Sequence, residues 1–107
     1  MPDPIYHLVP ADEWSESAHT YEPPSLAEEG FVHCSGRDQV ARVAEHLFTG
    51  RQDLLLLEID PSRLTAEVVW EDLYDLEEDF PHVYGPIERS AVVRVLPFPP
   101  EEQGWSR

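Results

Sequence analysis

The chain opens on an alternation of apolar and polar positions. Ile5, His7 and Val9 share one face of an extended run and Tyr6 and Leu8 the other, which predicts a strand over residues 4–9. Ala11 to Ala18 predicts a short helix carrying Trp14. His19 to Pro24 reads as a loop, because Pro23-Pro24 forbids regular pairing there. Ser25-Leu26-Ala27-Glu28 has the form of a capping box that opens one helical turn, which Gly30 closes. Phe31 to Cys34 predicts a second strand. Arg37 to Phe48 is the clearest helix: Val40, Val43, Ala44 and Leu47 recur at helical spacing, and Gly50 stops it. Asp53 to Asp60 contains four consecutive leucines and predicts a strand buried on both faces. Pro61 to Leu64 is a turn, and Ala66 to Trp70 a further strand with Val68 and Trp70 on one face, Trp70 being placed in the core. Glu71 to Gly85 reads as a loop whose first nine residues carry six carboxylates and stay solvated. Ser90 to Leu96 is the final strand. This order predicts an α+β domain with a small mixed or antiparallel sheet and two or three helices.

Composition narrows the picture. The 107 residues make one domain, with a core over about 4–97 and a proline-rich tail over 98–107 lying along the surface. Apolar residues are 41% of the chain, and no run approaches the ~20 residues of a membrane helix. Met1-Pro2-Asp3-Pro4 lacks the basic and apolar regions of a secretory signal, and Cys34 is the single cysteine, so a reducing, cytoplasmic setting is expected. The net charge is -15, and all seven basic residues are arginine. Such a field opposes binding to a phosphate backbone, which argues against a nucleic-acid partner. The absence of lysine excludes a Schiff base and a P-loop lysine, and no Gly-x-Ser-x-Gly or Gly-x-Gly-x-x-Gly turn occurs.

Three histidines interrupt apolar runs, in Ile5-Tyr6-His7-Leu8-Val9, Gly30-Phe31-Val32-His33-Cys34-Ser35 and Phe80-Pro81-His82-Val83-Tyr84. Buried imidazoles need partners, so a shared polar pocket is expected. His7 reads either as a ligand-binding ring or as a structural histidine bonded to a backbone carbonyl. His33 shares a face with Phe31 and Ser35, while Cys34 points into the core as an inert thiol. Ser35 stands in a Ser-x-x-Asp pattern that caps the next helix, whose N-terminus also favours an anion, with Arg37 in its first turn. His82 and Tyr84, two apart, project to one side as acid–base candidates. Trp70 also has an indole able to stack on a base. His7, His33 and His82 form a metal set only if they converge, and no HxH or HExxH spacing supports that.

These segments, with Leu54-Leu55-Leu56-Leu57-Glu58-Ile59-Asp60, Val69-Trp70-Glu71 and Gly85-Pro86-Ile87, resemble a family of small bacterial proteins known as domain of unknown function 952, DUF952, over about residues 4–97. More distantly, Tyr6-His7 and Val32-His33-Cys34-Ser35 followed by a helix resemble ADP-ribosyltransferase-type folds, including the RNA 2'-phosphotransferases. Leu8 and Val9 stand where those enzymes continue with Gly and a hydroxyl residue. The resemblance implies an ADP-ribosyltransferase-like fold and a nucleotide pocket for NAD or ADP-ribose. In it His7 and Ser35, with Arg37 and Trp70, bind the ligand; His33 and Tyr84 orient the nicotinamide; and His82, or Glu71 or Glu88, serves the acceptor. A non-catalytic ligand-sensing or protein-interaction module and a metal-assisted hydrolase are the alternatives.

Overall fold

The leucine run is the spine of the molecule. The computed structural model describes residues 3–47, 53–72 and 77–98, and within them β4 (Leu54–Ile59) lies between β1 (Ile5–Pro10) and β8 (Val92–Phe98) in an antiparallel sheet. Leu56 faces one side of that sheet and Leu57 the other, so a continuous apolar run is what a central, doubly covered strand requires. On one side, Tyr6, Leu8, Leu54 and Leu56 pack against Val40 and Ala44 of α2 (Val40–Leu47). On the other, Ile5, Val9, Leu57, Ile59 and Val92 pack against Val32, Cys34 and Val83 of a second layer.

That second layer is a three-stranded antiparallel sheet ordered β3 (Val32–His33), β6 (Phe80–Val83), β5 (Val68–Glu71). A short pair, β2 (Thr20–Tyr21) with β7 (Ile87–Glu88), extends the same layer's core through Tyr21 and Ile87. Reciprocal backbone bonds between Tyr6 and Ser35, at 2.8 and 2.7 Å, stitch the chain just beyond β3 to the edge of the first sheet. The sheets thus set β1 and β3 side by side, and with them two of the histidine segments. Among the described residues all strand pairs are antiparallel, so the α+β expectation resolves there to antiparallel sheets with two α-helices.

Several expectations are corrected. The helix over 11–18 is one 3-10 turn, Ala11–Glu13, after which Trp14 is extended. Ala11 and Ala18 are both exposed, so the segment has no apolar stripe to reward a helix. The helix before Gly30 is α1 (Pro24–Glu29), entered through Pro23 with Pro24 in its first turn, and no side chain caps it. Gly30 closes it at φ 88°, where its N–H reaches the Leu26 carbonyl. The long helix begins at Val40 rather than Arg37, so Ser35 is not its cap. The turn before it is held instead by Gly36 N–H donating to Gln39 Oε1 at 2.8 Å. The supposed acidic loop contains β6, the middle strand of its sheet. Its described acidic part is clasped: Arg42 makes a two-pronged contact with Glu78 at 2.9 and 2.6 Å, and Gln39 donates to Glu78 and to the Asp79 carbonyl. Trp70 is 49% exposed, not core. The tail beyond Phe98 lies outside the described residues.

Gly85 fixes how the chain leaves β6. A Cβ there would sit 2.8 Å from the Ala66 Cβ, a backbone-anchored atom that cannot swing away. Gly85→Ala is expected to destabilise by about 1–3 kcal/mol through overpacking. Pairing it with Ala66→Gly should restore most of the loss, and chemical denaturation of the single and double variants measures both.

Candidate functional site

Antiparallel registry builds the site. His33 lies opposite His82 across β3 and β6, and Val69 lies opposite His82 across β5 and β6. Directly opposed residues share a face, so Val32 and Val83 enter the core on one side of the sheet and both rings lie together on the other. The two imidazoles meet edge-on with centroids 5.5 Å apart. Phe31, two residues before His33, stacks on His82 at 4.3 Å and meets His33 at 4.8 Å and Tyr84 at 5.3 Å. Glu71, two residues beyond Val69, reaches the same face. His82 Nδ1 lies 2.8 Å from Glu71 Oε2, and the Tyr84 hydroxyl donates to that same oxygen.

This arrangement has a definite polarity. An ionised carboxylate only accepts, so a neutral His82 carries its proton on Nδ1 and presents Nε2 as the lone pair. Tyr84 and then His82, through their hydrogen bonds, hold the Glu71 carboxyl below the usual carboxylate range. A carboxylate that orients a histidine, with a phenol on the same oxygen, is an arrangement able to pass a proton. His82 is 2% exposed, whereas Tyr84 is 41% exposed, so the cluster runs from the interior to solvent. On the other flank His33 Nε2 lies 3.0 Å from Glu29 Oε1, at the end of α1.

His7 sits beside this cluster with both ring nitrogens engaged. Nδ1–H donates to the His33 carbonyl at 2.6 Å, and Nε2 accepts from the Tyr21 hydroxyl at 2.8 Å. Both bonds suit the neutral ring, and burial lowers its pKa from 6.5 to about 4. Its ring N–H is therefore spent on fixing the backbone under His33. Tyr21→Phe removes the one donor to Nε2 and is expected to cost about 1–3 kcal/mol, the price of a partly buried acceptor left unmade. Equilibrium denaturation checks this.

The remaining candidates are spread out. Ser35 is buried and its backbone pairs with Tyr6; Arg37 is exposed on the turn before α2. Trp70 lies on the opposite side of β5 from Glu71 by strand alternation and borders Gly36. Of the two late glutamates, Glu71 joins the histidines, while Glu88 accepts the Thr65 N–H on both oxygens at 3.3 Å and braces a turn. Cys34 is buried, and burial raises its thiol pKa. Among the described residues, no group of three His, Cys, Asp or Glu side chains is placed to hold a metal ion. Glu29, four residues before His33, and Tyr21 are partners the sequence reading did not single out; spacing signals the first, nothing local the second.

A cavity of about 380 Å³ is lined by residues outside the histidine cluster, Trp14, Tyr21, Pro23 and Arg89 among them. Tyr21, one of its walls, also donates its hydroxyl to His7.

Comparison with known proteins adds the following. The profile of a family described as "Protein of unknown function (DUF952)" matches residues 8–95. The crystal structure of protein CC0527 from Caulobacter crescentus is 28% identical, with a TM-score of 0.77, covering 88% of this chain and 84% of that one. Its solution structure by NMR gives 28% identity and a TM-score of 0.75, covering 88% of this chain and 83% of that one. Among curated proteins none matches. The ADP-ribosyltransferase resemblance has no counterpart in these findings, and the fold they support is a small antiparallel α+β domain.

Proposed function

The chain belongs to the DUF952 family of proteins of unknown function, and on that premise we propose that the face formed by Phe31, His33, Glu71, His82 and Tyr84 binds NAD or a related ADP-ribose ligand, with ADP-ribosyl transfer as its enzymatic form. One observation carries the reading: a single Glu71 oxygen engaged by both His82 and Tyr84 at the edge of a stack of rings. The exposed ring of Tyr84 offers flat apolar surface to a nicotinamide, with Phe31 buried behind it against His82, and His33 orients it. Breaking the C1'–N bond sends the electron pair out with neutral nicotinamide and leaves positive charge on the ribose. A carboxylate beside that carbon stabilises the developing charge. The acceptor's nucleophile then bonds to C1' and gives its proton to His82 Nε2. Arg37, two residues past Ser35, is assigned the diphosphate. His7 and Ser35 act from beneath, by holding β1 against the chain around His33.

The test is a thermal melt with NAD and with ADP-ribose up to millimolar concentration, alongside an assay of nicotinamide release. Both ligands are expected to raise Tm, as any ligand bound only by the folded state does. Glu71→Gln should cut nicotinamide release at least tenfold when assayed below its own, lowered Tm. A raised Tm without release assigns the face to ligand sensing. No movement of Tm with either ligand overturns the nucleotide reading.

A further inference from the structure

Tyr21 reaches the histidine face without standing on it. It lies in β2 and is buried, and its hydroxyl donates to His7 Nε2 at 2.8 Å. Burial first, and then the nearby Glu13 charge, push the phenol pKa above its usual range, so the hydroxyl stays a donor. From the other side of the ring, His7 Nδ1–H donates to the His33 carbonyl at 2.6 Å.

The ladder shows why that carbonyl takes a side chain as its partner. Cys34 N–H donates to the Pro81 carbonyl, so alternation makes His33 and His82 a non-hydrogen-bonded pair and turns the His33 carbonyl away from β6. It points toward β1, the direction in which Ser35 meets Tyr6. That meeting is an isolated bridge, and the His7 ring supplies to His33 the donor that a continuing ladder would have given. A carbonyl only accepts, so the bond requires the His7 proton on Nδ1. A neutral imidazole has one such proton, and the partner at one nitrogen sets the state of the other. The Tyr21 hydroxyl is the partner that keeps Nε2 unprotonated. Without it, a proton moving to Nε2 would set the Nδ1 lone pair against the His33 carbonyl oxygen. The same residue carries the ring that meets Glu29 at 3.0 Å and lies edge-on to His82. We propose that Tyr21 is a positioning residue for the histidine face: its hydroxyl fixes the His7 tautomer, and His7 in turn fixes the His33 main chain and so the placement of the His33 ring beside His82. The consequence for ligand binding rests on the reading of that face as a NAD site.

Nitrogen-15 NMR of the histidine rings in the full chain tests this. The parent is expected to show His7 protonated on Nδ1 and unprotonated on Nε2; the reverse tautomer overturns the proposal whatever the variants do. Tyr21→Phe removes one oxygen and should move the His7 proton toward Nε2 and shift the His33 ring signals. Val92→Ala, a truncation in the same core that keeps the hydroxyl, is the control for lost stability and should leave both in place. An unchanged His7 tautomer in Tyr21→Phe, unmoved His33 signals, or equal shifts in Val92→Ala overturns the proposal. Tyr21→Phe should also bind NAD about tenfold more weakly than the parent, the scale expected when a hydrogen bond supporting a ligand-contacting ring is lost, while Val92→Ala should match the parent. Full NAD affinity in Tyr21→Phe overturns the positioning role. A parent that does not bind NAD overturns the nucleotide reading instead, and the tautomer and the His33 signals then decide the positioning role by themselves.

Discussion

Leu57→Ala is expected to lose about 2–5 kcal/mol of stability, the range for emptying a well-packed leucine site. Leu57 is fully buried on the middle strand of the first sheet and lies opposite both His7 and Val95. Neighbouring strands hold it on both sides, so the backbone cannot close over the void. At roughly 4 °C per kcal/mol for a domain near this size, Tm should fall by about 10–20 °C. The site also adds a signature that a plain core truncation would lack. The cavity borders His7, and water entering it would rehydrate the ring. The His7 pKa should therefore rise from about 4 back toward 6.5 in the variant. A calorimetric melt and a histidine NMR titration read the two effects separately.

Acid is expected to weaken the fold through His7, beginning below about pH 6.5. The folded pKa of His7, about 4, lies below its ordinary 6.5 because burial penalises the charged ring. Above pH 6.5 the ring is neutral in both states and contributes no pH dependence. Between 6.5 and 4 the unfolded chain binds a proton that the folded chain refuses, so stability falls as pH drops and the loss is complete below 4. That interval corresponds to about 3 kcal/mol at most, and to about 2 kcal/mol by pH 5, trimmed by the ring's residual exposure. Glu71 and Glu78, whose carboxyls are held low by hydrogen bonds, weaken the fold only in more acidic solution as they protonate. Denaturant titrations at pH 7 and pH 5 isolate the histidine, and His7→Gln should flatten the difference by about 2 kcal/mol.

The strands that bury a simple pattern were legible in the chain. β1 shows its alternation in Ile5 to Val9, and β4 its double burial in the leucine run. β6 was hidden because Phe80-Pro81-His82-Val83 mixes a proline and an imidazole into four residues, and its pairing with β3 spans almost half the chain. Pro81 has no N–H to give the sheet, but its carbonyl accepts the Cys34 N–H at 3.0 Å. With β6 unseen, the meeting of His33 and His82 was unreadable too, since direct opposition depends on register. The shared orientation of His82 and Tyr84 was readable, because it needs only strand alternation. Ser35 misled for a physical reason: its Ser-x-x-Asp pattern has the form of a cap, yet the backbone bonds to Tyr6 draw that residue into the sheet. Trp70 misled by size alone, since nothing in Val68-Val69-Trp70 tells which face of an edge strand is covered.

The ring signals of the histidines under NAD titration test the central claim most directly. In a histidine-selective NMR spectrum, His33 and His82 should move together and saturably as NAD is added. His7, with both nitrogens committed to His33 and Tyr21, should move far less. Glu71→Gln should weaken the response of His82 at least tenfold. If His33 and His82 stay fixed at millimolar NAD, the face is not a nucleotide site.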